Sequence, residues 1–286
     1  MLTNKVSEIM TTAVITAEPS STIRQVTRLM VDRRVGRVVL TENDAPAGIF
    51  TETDVLRRVM NRILDVHKTP IRRVMTTPVQ GVPEGTSIVE VLGRMYQGRY
   101  RHLVVYGENR RMAGLVSMRR ILNLVVELGA DLRDTRTVGE VVSGAVPTVD
   151  ASMPVTQVID KMVREHTACV MVSAEGRTGG IFTERDVLTR IALEDRDMGQ
   201  VPVSEVMTPD PLVAGGSTPV QEVLSTMRDN GFRHMPVAGD GEELAGIVSV
   251  GDVLQYAQAL DIDDVVRKAW KEIEEFWESE ENYTPG

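Results

Sequence analysis

One strand-to-helix pattern recurs four times along this chain, and it constrains the fold more than any other feature. The stretch GIFTETDVLRRV begins at Gly48, and its copies begin at Gly114, Gly180 and Gly246, one copy every 66 residues. A fixed period of this length indicates one supersecondary unit repeated in tandem, in which each copy buries its apolar face against a neighbour. The chain is therefore expected to be an array of similar small units.

Each copy contains the same order of elements. A short tag is followed by a brief apolar run, a helical pattern, a β-rich run and then the glycine junction with its own strand and helix. In the first copy Ile23, Val26 and Met30 recur at helical spacing, and Ser21 or Thr22 precedes them as an N-cap. The order predicts a β-α-β-β-α unit and an α/β (α+β) fold. The tags are SEIM (Ser7–Met10), RRVM (Arg72–Met75), GEVV (Gly139–Val142) and SEVM (Ser204–Met207).

The four copies fall into two similar pairs. The first resembles the third (GIFTETDVL and GIFTERDVL) and the second resembles the fourth (YRHLVV and FRHMPV), so a double unit was duplicated. A unit of about 60 residues is marginal by itself and gains stability by packing on a neighbour. Consecutive copies are therefore predicted to pair into two modules. The predicted boundaries are 1–66, 67–130, 131–198 and 199–257, followed by a tail at 258–286.

Composition and charge narrow the classes of function. Of the 286 residues 42% are hydrophobic, and the formal charge of -9 disfavours general nucleic-acid binding. No run approaches the roughly 20 apolar residues that span a bilayer, and the first residues lack a signal-peptide pattern. The single cysteine, Cys169, excludes an internal disulfide, fits a cytoplasmic protein and is expected to be buried in a strand. The histidines lack metal-ligand spacing and no catalytic motif is recognisable, so neither a metal site nor an enzyme is predicted.

Three junctions carry a hydroxyl residue followed three positions later by an aspartate. This spacing is typical of a capping box at a helix N-terminus, and an aspartate in the first turn also favours the helix dipole. A second interpretation is a ligand site, because a helix N-terminus suits a phosphate and a neighbouring carboxylate suits a sugar diol. The pairs are Thr51 with Asp54, Thr183 with Asp186, and Ser249 with Asp252.

The second copy departs from this pattern. It keeps a cap residue at Ser117 but has Arg120 where the other copies have aspartate. A positive charge in the first helical turn is unfavourable by up to about 1 kcal/mol, so capping alone does not explain Arg120. A ligand site gives a reason for the difference, because each copy can then meet a different ligand.

The tags, the order of elements and the pattern G-h-h-[ST]-x-x-D-h-h, where h is hydrophobic, resemble the CBS domain, named after cystathionine β-synthase. The resemblance extends over about residues 5–257 in four copies. Two CBS units form a Bateman module, and the four-unit arrangement is similar to the γ subunit of AMP-activated protein kinase and to free-standing prokaryotic four-CBS proteins. The resemblance implies binding of AMP, ADP or ATP, with S-adenosylmethionine as an alternative, in clefts between paired units.

The resemblance assigns expected roles to residues of this chain. The aspartates are expected to hold ribose hydroxyls, and the Ser or Thr beside each to approach ribose or phosphate: Asp54, Asp186, Asp252, Thr51, Thr183 and Ser249. Basic residues at the start of the middle strand are expected near phosphate: Arg37, Arg101, His102, Arg233 and His234. The segments after the tags are expected to line the adenine pocket, through Val14, Val79, Val146 and Leu212.

Two copies depart from the family pattern at these positions. The third copy has Ala168 and Cys169 in place of basic residues, and the second has Arg120 in place of the ribose acid. The site of the second copy is therefore expected to be empty, or Arg120 reaches a phosphate in the neighbouring cleft. Two or three occupied sites are expected rather than four.

Two further segments stay open to interpretation. Seven arginines and one acid lie between Arg94 and Arg120, which suits a solvated surface, a polyphosphate cleft or a dock for the acidic tail. The tail at 258–286 has the pattern of an amphipathic helix, with Trp270 and Trp277 on its apolar face. That face is expected to pack on the chain's own body, or on a partner or second copy.

These observations predict a non-catalytic regulatory sensor that binds adenine nucleotides and signals through changed packing of its modules. A different class, a structural or interaction protein with vestigial clefts, stays open, and it would recruit a partner through the tail or the arginine stretch. The resemblance also leaves open a homodimer and a regulated partner protein.

Overall fold

The described residues form two compact units, each built from alternate copies of the repeat. The odd unit holds copies one and three, within Val14–Val79 and Ala145–Leu212, and the even unit holds copies two and four, within Met1–Ala13, Gln80–Gly144 and Val213–Gly286. The computed structural model describes residues 5–60, 64–98, 100–121, 137–142, 147–174, 177–239 and 244–252. The predicted C-terminal helix at 258–286 lies outside these ranges.

The first two copies have the predicted order of elements. Copy one contains β1 (Thr16–Ala17), α1 (Ile23–Asp32), β2 (Arg37–Glu42), β3 (Ala45–Thr51) and α2 (Glu52–Asp54), which continues as a π-helical segment at Val55–Met60. Copy two contains β4 (Gly81–Pro83), α3 (Ile88–Gln97), β5 (His102–Tyr106) and β6 (Met112–Ser117). In both sheets the first strand is parallel to the middle strand and the third is antiparallel to it.

The last two copies repeat this arrangement. The tag before copy three forms α4 (Val138–Val141), and the copy itself contains β7 (Thr148–Asp150), α5 (Val155–Arg164), β8 (Cys169–Ala174), β9 (Arg177–Thr183), α6 (Glu184–Asp186) and a π-helical segment at Val187–Ile191. Copy four contains β10 (Thr208–Pro209), β11 (Ala214–Gly215), α7 (Val220–Asn230), β12 (His234–Ala238) and β13 (Leu244–Ser249). Helical residues at 118–121 and 250–252 follow β6 and β13, and the β-α-β-β-α order that the sequence predicted is confirmed.

The first long helix begins where the capping pattern predicted. The Thr22 hydroxyl accepts a hydrogen bond from the Gln25 backbone N–H at 3.2 Å, and the Gln25 side chain accepts one from the Thr22 N–H at 2.8 Å. This capping box selects Thr22 over Ser21 as the N-cap. The face of α1 that carries Ile23, Val26 and Met30 is buried, as its helical spacing predicted.

Each tag docks on a copy other than the one it precedes in sequence. The first tag belongs to the even unit, where Thr11 and Leu115 exchange backbone hydrogen bonds of 2.8 and 3.0 Å. The second tag belongs to the odd unit, where Thr76 and Ile49 exchange bonds of 2.8 and 3.0 Å. The third tag bonds to copy four, and β10, after the fourth tag, pairs with β9 of copy three. Copies one and two therefore exchange tags, and so do copies three and four.

The two units bury their apolar residues differently. The odd unit has a single core that includes residues of both copies, with Phe50 and Phe182 fully buried in it. The even unit has one core in each copy, and Val250 packs against both. Burial of this apolar surface is the main favourable contribution to folding. Copies one and three are thus held together by shared hydrophobic packing.

Cys169 is buried in β8, as its apolar strand pattern predicted. No helix in the described ranges is both long and apolar enough to cross a bilayer. Nor do the described residues bring together three or more His, Cys, Asp or Glu side chains that could hold a metal ion. The pairing of consecutive copies into modules, with the boundaries given above, stays a prediction.

Candidate functional site at the strand–helix junctions

The junction of copy one forms the predicted capping box. The Thr51 backbone N–H and hydroxyl both donate to Oδ2 of Asp54, at 2.9 and 2.8 Å, and the Asp54 N–H approaches the Thr51 hydroxyl at 3.4 Å. The Asp54 side chain is buried, with only 6% of it exposed. The cap therefore uses one carboxylate oxygen, and the other oxygen faces different partners.

The second oxygen of Asp54 meets the tag that docks on this copy. The Thr76 hydroxyl donates to Oδ1 at 3.0 Å, and Arg58 Nε lies 3.3 Å from the same oxygen. Arg58 Nη1 also donates to the carbonyls of Val74 and Met75, at 3.2 and 2.8 Å. Junction and tag are thus joined through one carboxylate and one guanidinium.

Copy three builds the same arrangement. The Thr183 N–H and hydroxyl donate to Oδ2 of Asp186 at 2.9 and 2.7 Å, and the Thr208 hydroxyl donates to Oδ1 at 3.1 Å. Arg190 Nε lies 3.6 Å from Oδ1, and Arg190 Nη1 donates to the carbonyls of the fourth tag, at 2.9 Å for Val206 and also to Met207. The odd unit therefore contains two closely matched junctions.

Burial dominates the electrostatics of the first junction. Desolvation raises the pKa of Asp54, and the bonds from Thr51, the charge of Arg58 and the bond from Thr76 oppose that rise. The donors around this carboxylate offset part of the cost of removing its charge from water.

The other two junctions differ from each other. In copy four the Ser249 N–H and hydroxyl both donate to Asp252 Oδ2 at 2.7 Å. In copy two the Ser117 hydroxyl accepts from the Arg120 N–H at 3.2 Å, so the cap persists without an acid. The Arg120 side chain turns to the first tag, and its Nε lies 3.4 Å from the carbonyl of Ile9.

The predicted phosphate-side residues lie beside these junctions. In every copy the first residue of the middle strand is paired in the sheet with the junction hydroxyl residue. The pairs are Arg37 with Thr51, His102 with Ser117, Cys169 with Thr183, and His234 with Ser249.

Four consecutive copies of this junction on a β-α-β-β-α unit decide the family. The CBS domain profile matches residues 6–61, 71–127, 138–193 and 203–259. The chain belongs to the CBS domain family. The four matches account for most of the 286 residues.

Known CBS proteins resemble the chain over most of its length. The CBS domain-containing protein CBSCBSPB1 of Arabidopsis thaliana is 28% identical over 283 residues, covering 86% of this chain and 52% of that protein. The chain spans about half the length of the curated relatives that it matches first. Solved structures match the fold of the chain. The structure of MJ1225 from Methanocaldococcus jannaschii is described as that of a proposed archaeal homologue of the AMPK γ subunit. It matches with a TM-score of 0.79 and 20% identity, over 88% of this chain and 99% of that one. A protein from Pyrococcus horikoshii matches with a TM-score of 0.58 and 18% identity, over 88% and 99%. The two structural matches show the four-CBS fold.

The even unit gathers positive charge between its two CBS copies. His234 is partly buried, and burial together with Arg233, Arg101 and Arg119 lowers its pKa to about 3. Arg101 and Arg119 come from copy two, and Arg233 and His234 from copy four. His234 is therefore neutral at physiological pH, and the three arginines contribute to this.

The predicted adenine-side residues occupy segments that follow the tags. Val14 and Val79 are half-buried, and Leu212 is 51% exposed next to the equally exposed Val213. Val146 lies outside the described residues. Val79 and Leu212 lie three and four residues after Thr76 and Thr208, the residues whose hydroxyls donate to the acids of the odd unit.

Several residues of the junctions were missed by sequence reasoning. Glu52 and Glu184, 2% and 1% exposed, begin the junction helices of copies one and three, and Arg185 Nε lies 3.1 Å from Glu52 Oε1. Arg58 and Arg190 were also overlooked. A signal was available, because copies one and three share the Glu after the Thr and the Arg four positions after the Asp, whereas copies two and four have neither.

Proposed function

We propose that this CBS protein is a non-catalytic regulatory sensor that binds adenine nucleotides at its junctions and transmits occupancy through changed packing of its CBS units. The observation that carries the proposal is the second oxygen of the junction aspartates. A cap requires only Oδ2 of Asp54 and Asp186, yet Oδ1 in both is placed among further donors at the tag. A buried carboxylate of this kind at a helix start suits the diol of a ribose.

The surroundings of the junctions support an adenosine-containing ligand. Arg58 and Arg190 are about 40% exposed, so the partners of the two buried acids themselves face solvent. Apolar residues after the tags, Val79 and Leu212 among them, suit an adenine ring. At the separate junction of copy four, in the even unit, the basic residues around His234 suit phosphate groups. AMP, ADP and ATP are the proposed ligands, and S-adenosylmethionine is the alternative.

The four junctions are not equivalent under this proposal. Copies one, three and four carry the acid and are the proposed ribose sites, through Asp54, Asp186 and Asp252. Copy two carries Arg120 instead, and its side chain contacts the tag backbone. We therefore propose two or three nucleotides per chain, with the copy-two junction unoccupied by ribose.

Thermal unfolding with AMP, ADP, ATP and S-adenosylmethionine, followed by calorimetric titration, tests the proposal. A ligand at 100 times its Kd adds about 2.7 kcal/mol of stability for each site. Asp54→Ala and Asp186→Ala should each remove charged hydrogen bonds of about 1.5–3 kcal/mol, weakening one site roughly ten- to a hundredfold. Asp32→Ala, at an exposed aspartate that ends α1, is the matched control.

Two outcomes would contradict the proposal. If the Asp54 and Asp186 variants lose stability but keep full nucleotide affinity, the motif is a cap and no more. If none of the four ligands stabilises protein shown to be free of carried-over nucleotide, the chain is not an adenine-nucleotide sensor. The interaction-protein alternative would then be tested by partner capture with and without residues 258–286.

A further inference from the structure

Three of the four tags are held by an arginine at the same backbone position. Arg58 donates to the carbonyl of Val74, Arg190 to that of Val206, and Arg120 approaches that of Ile9. These three acceptors are each the third residue of their tag, in RRVM, SEVM and SEIM.

The three arginines come from two different places in the repeat. Arg58 and Arg190 stand ten residues after the junction glycine, whereas Arg120 stands six residues after it, at the position of the acid. Copy two has Leu124 at the ten-residue position. Arg120 therefore makes the same kind of contact with a tag carbonyl as Arg58 and Arg190, although it stands one helical turn earlier, at the position of the acid. This contact accounts for a cation at the start of the helix.

Copies one and three link this contact to the acid, and copy two does not. Arg58 and Arg190 lie 3.3 and 3.6 Å from the Oδ1 atoms of the aspartates four residues earlier. Each aspartate also accepts a hydrogen bond from the hydroxyl of the residue directly after the tag, Thr76 or Thr208. Copy two has no such aspartate, because Arg120 itself stands at the acid position.

The junction aspartates already have several protein partners without a ligand. A carboxylate offers about four lone-pair sites. Asp54 accepts three hydrogen bonds, from the Thr51 N–H, the Thr51 hydroxyl and the Thr76 hydroxyl. Arg58 Nε forms an ion pair with the same carboxylate at 3.3 Å. A ribose diol that approaches Oδ1 competes with the partners already there, which for Asp54 are the Thr76 hydroxyl, directly after the tag, and Arg58, which holds the tag.

We propose that Arg58 and Arg190 act as clamps on the tags that respond to ligand occupancy. When a ribose binds to the junction aspartate, the arginine gives up its ion pair with that aspartate, and its hydrogen bonds to the tag carbonyls change as a result. Arg120 is the corresponding fixed clamp, insensitive to occupancy. The inference rests on the proposed function, because it assumes a diol at Asp54 and Asp186. The tags concerned end four or five residues before Val79 and Leu212, the last residues of their segments of the odd unit. Occupancy would thereby act on the backbone where the chain leaves that unit.

Adenosine titration of the full chain tests the clamp, because adenosine has the ribose but no phosphate that an arginine could bind. In the variant Arg58→Gln/Arg190→Gln the competing cations are gone, and adenosine affinity at two sites should rise roughly two- to tenfold. The variant Arg58→Lys/Arg190→Lys, which keeps the charge, should restore most of the competition. Arg120→Gln is the matched control, and it should lower stability and leave adenosine affinity unchanged.

Hydrogen exchange supplies the second readout. In the wild type, adenosine should alter the protection of the Thr76 and Thr208 backbone N–H groups, and the glutamine variant should lose that response. Unchanged adenosine affinity in the glutamine variant, with stability lowered as in Arg120→Gln, would make the arginines merely structural and overturn the inference while the sensor proposal stands. Absence of adenosine and nucleotide binding to the wild type would overturn both.

Discussion

Arg185 of the third CBS copy reaches Glu52 of the first, with 3.1 Å between Nε and Oε1, and Glu52 is almost completely buried. This contact joins the two copies of the odd unit at the start of their junction helices. A buried carboxylate that loses a cationic donor is left poorly compensated.

Arg185→Gln should therefore lower the free energy of unfolding by about 1–2 kcal/mol, since the guanidinium is itself partly exposed. Urea denaturation of the full chain measures the loss. Asp195→Asn is the control, because Arg24 and Asp195 also join copies one and three, at 3.2 Å, but Asp195 is 76% exposed. That surface pair should contribute under about 1 kcal/mol, and equal losses in the two variants would contradict the prediction.

The junction glycine is predicted to be required for close approach of the tag. A Cβ at Gly180 would lie 2.3 Å from Met207 Sδ and 2.9 Å from the carbonyl oxygen of Thr208, whereas a Cβ at the adjacent Gly179 would meet nothing within 4 Å. Gly180→Ala should destabilise the chain by about 1–3 kcal/mol through overpacking. Gly179→Ala should be neutral or slightly stabilising. Comparison of the two melting temperatures is decisive, and equal effects would mean that the tag does not set the requirement.

The partly buried histidine of the even unit predicts a loss of stability in mild acid. The pKa of His234 is lowered from 6.5 to about 3 by burial and by Arg233, Arg101 and Arg119. Below pH 6.5 the unfolded chain therefore binds a proton that the folded chain does not, and the free energy of unfolding falls by up to about 1.4 kcal/mol per pH unit. At pH 5 the cost is about 2 kcal/mol.

His234→Gln should flatten the stability profile between pH 6.5 and 4, and His67→Gln, at an exposed histidine, serves as the control. The measurement is urea denaturation at half-unit pH intervals. If His234→Gln leaves the pH dependence of the free energy of unfolding unchanged, His234 is not the group that causes it.

The same histidine should couple anion binding to proton uptake. A phosphate group among Arg101, Arg119 and Arg233 would offset their charge and raise the pKa of His234. Calorimetry of ATP binding at pH 5, in two buffers of different ionisation enthalpy, measures the number of protons taken up on binding. The wild type should take up protons, and His234→Gln should take up fewer. If the wild type binds ATP with equal observed enthalpies in the two buffers, no proton is taken up, and the phosphate lies elsewhere.

Features that depend on neighbours in sequence were predictable. The Thr22 capping box, the Thr51–Asp54 spacing and the buried stripe of α1 are all fixed by residues three or four positions apart. The burial of Cys169 followed in the same way from the apolar strand around it. The four copies also reinforce one another, because a pattern that is weak in one copy is recognisable from the equivalent residues of the others.

Features that depend on distant parts of the chain were not predictable from these patterns. Thr76 reaches Asp54 across 22 residues, and Arg185 reaches Glu52 across 133. A glutamate at a helix start ordinarily indicates a solvated position favoured by the dipole, so the burial of Glu52 and Glu184 contradicts the usual expectation. Their partners become visible only when copies one and three are packed together.

The exchange of tags has a consequence for how such a protein can arise. A single copied unit carries a tag whose docking surface lies on a different copy, and it lacks the tag that its own junction requires. Two copies satisfy each other fully, and a third alone would again leave one surface uncovered. A pair of copies is thus self-sufficient in tags, which agrees with the greater likeness of copy one to three and of copy two to four than between neighbours.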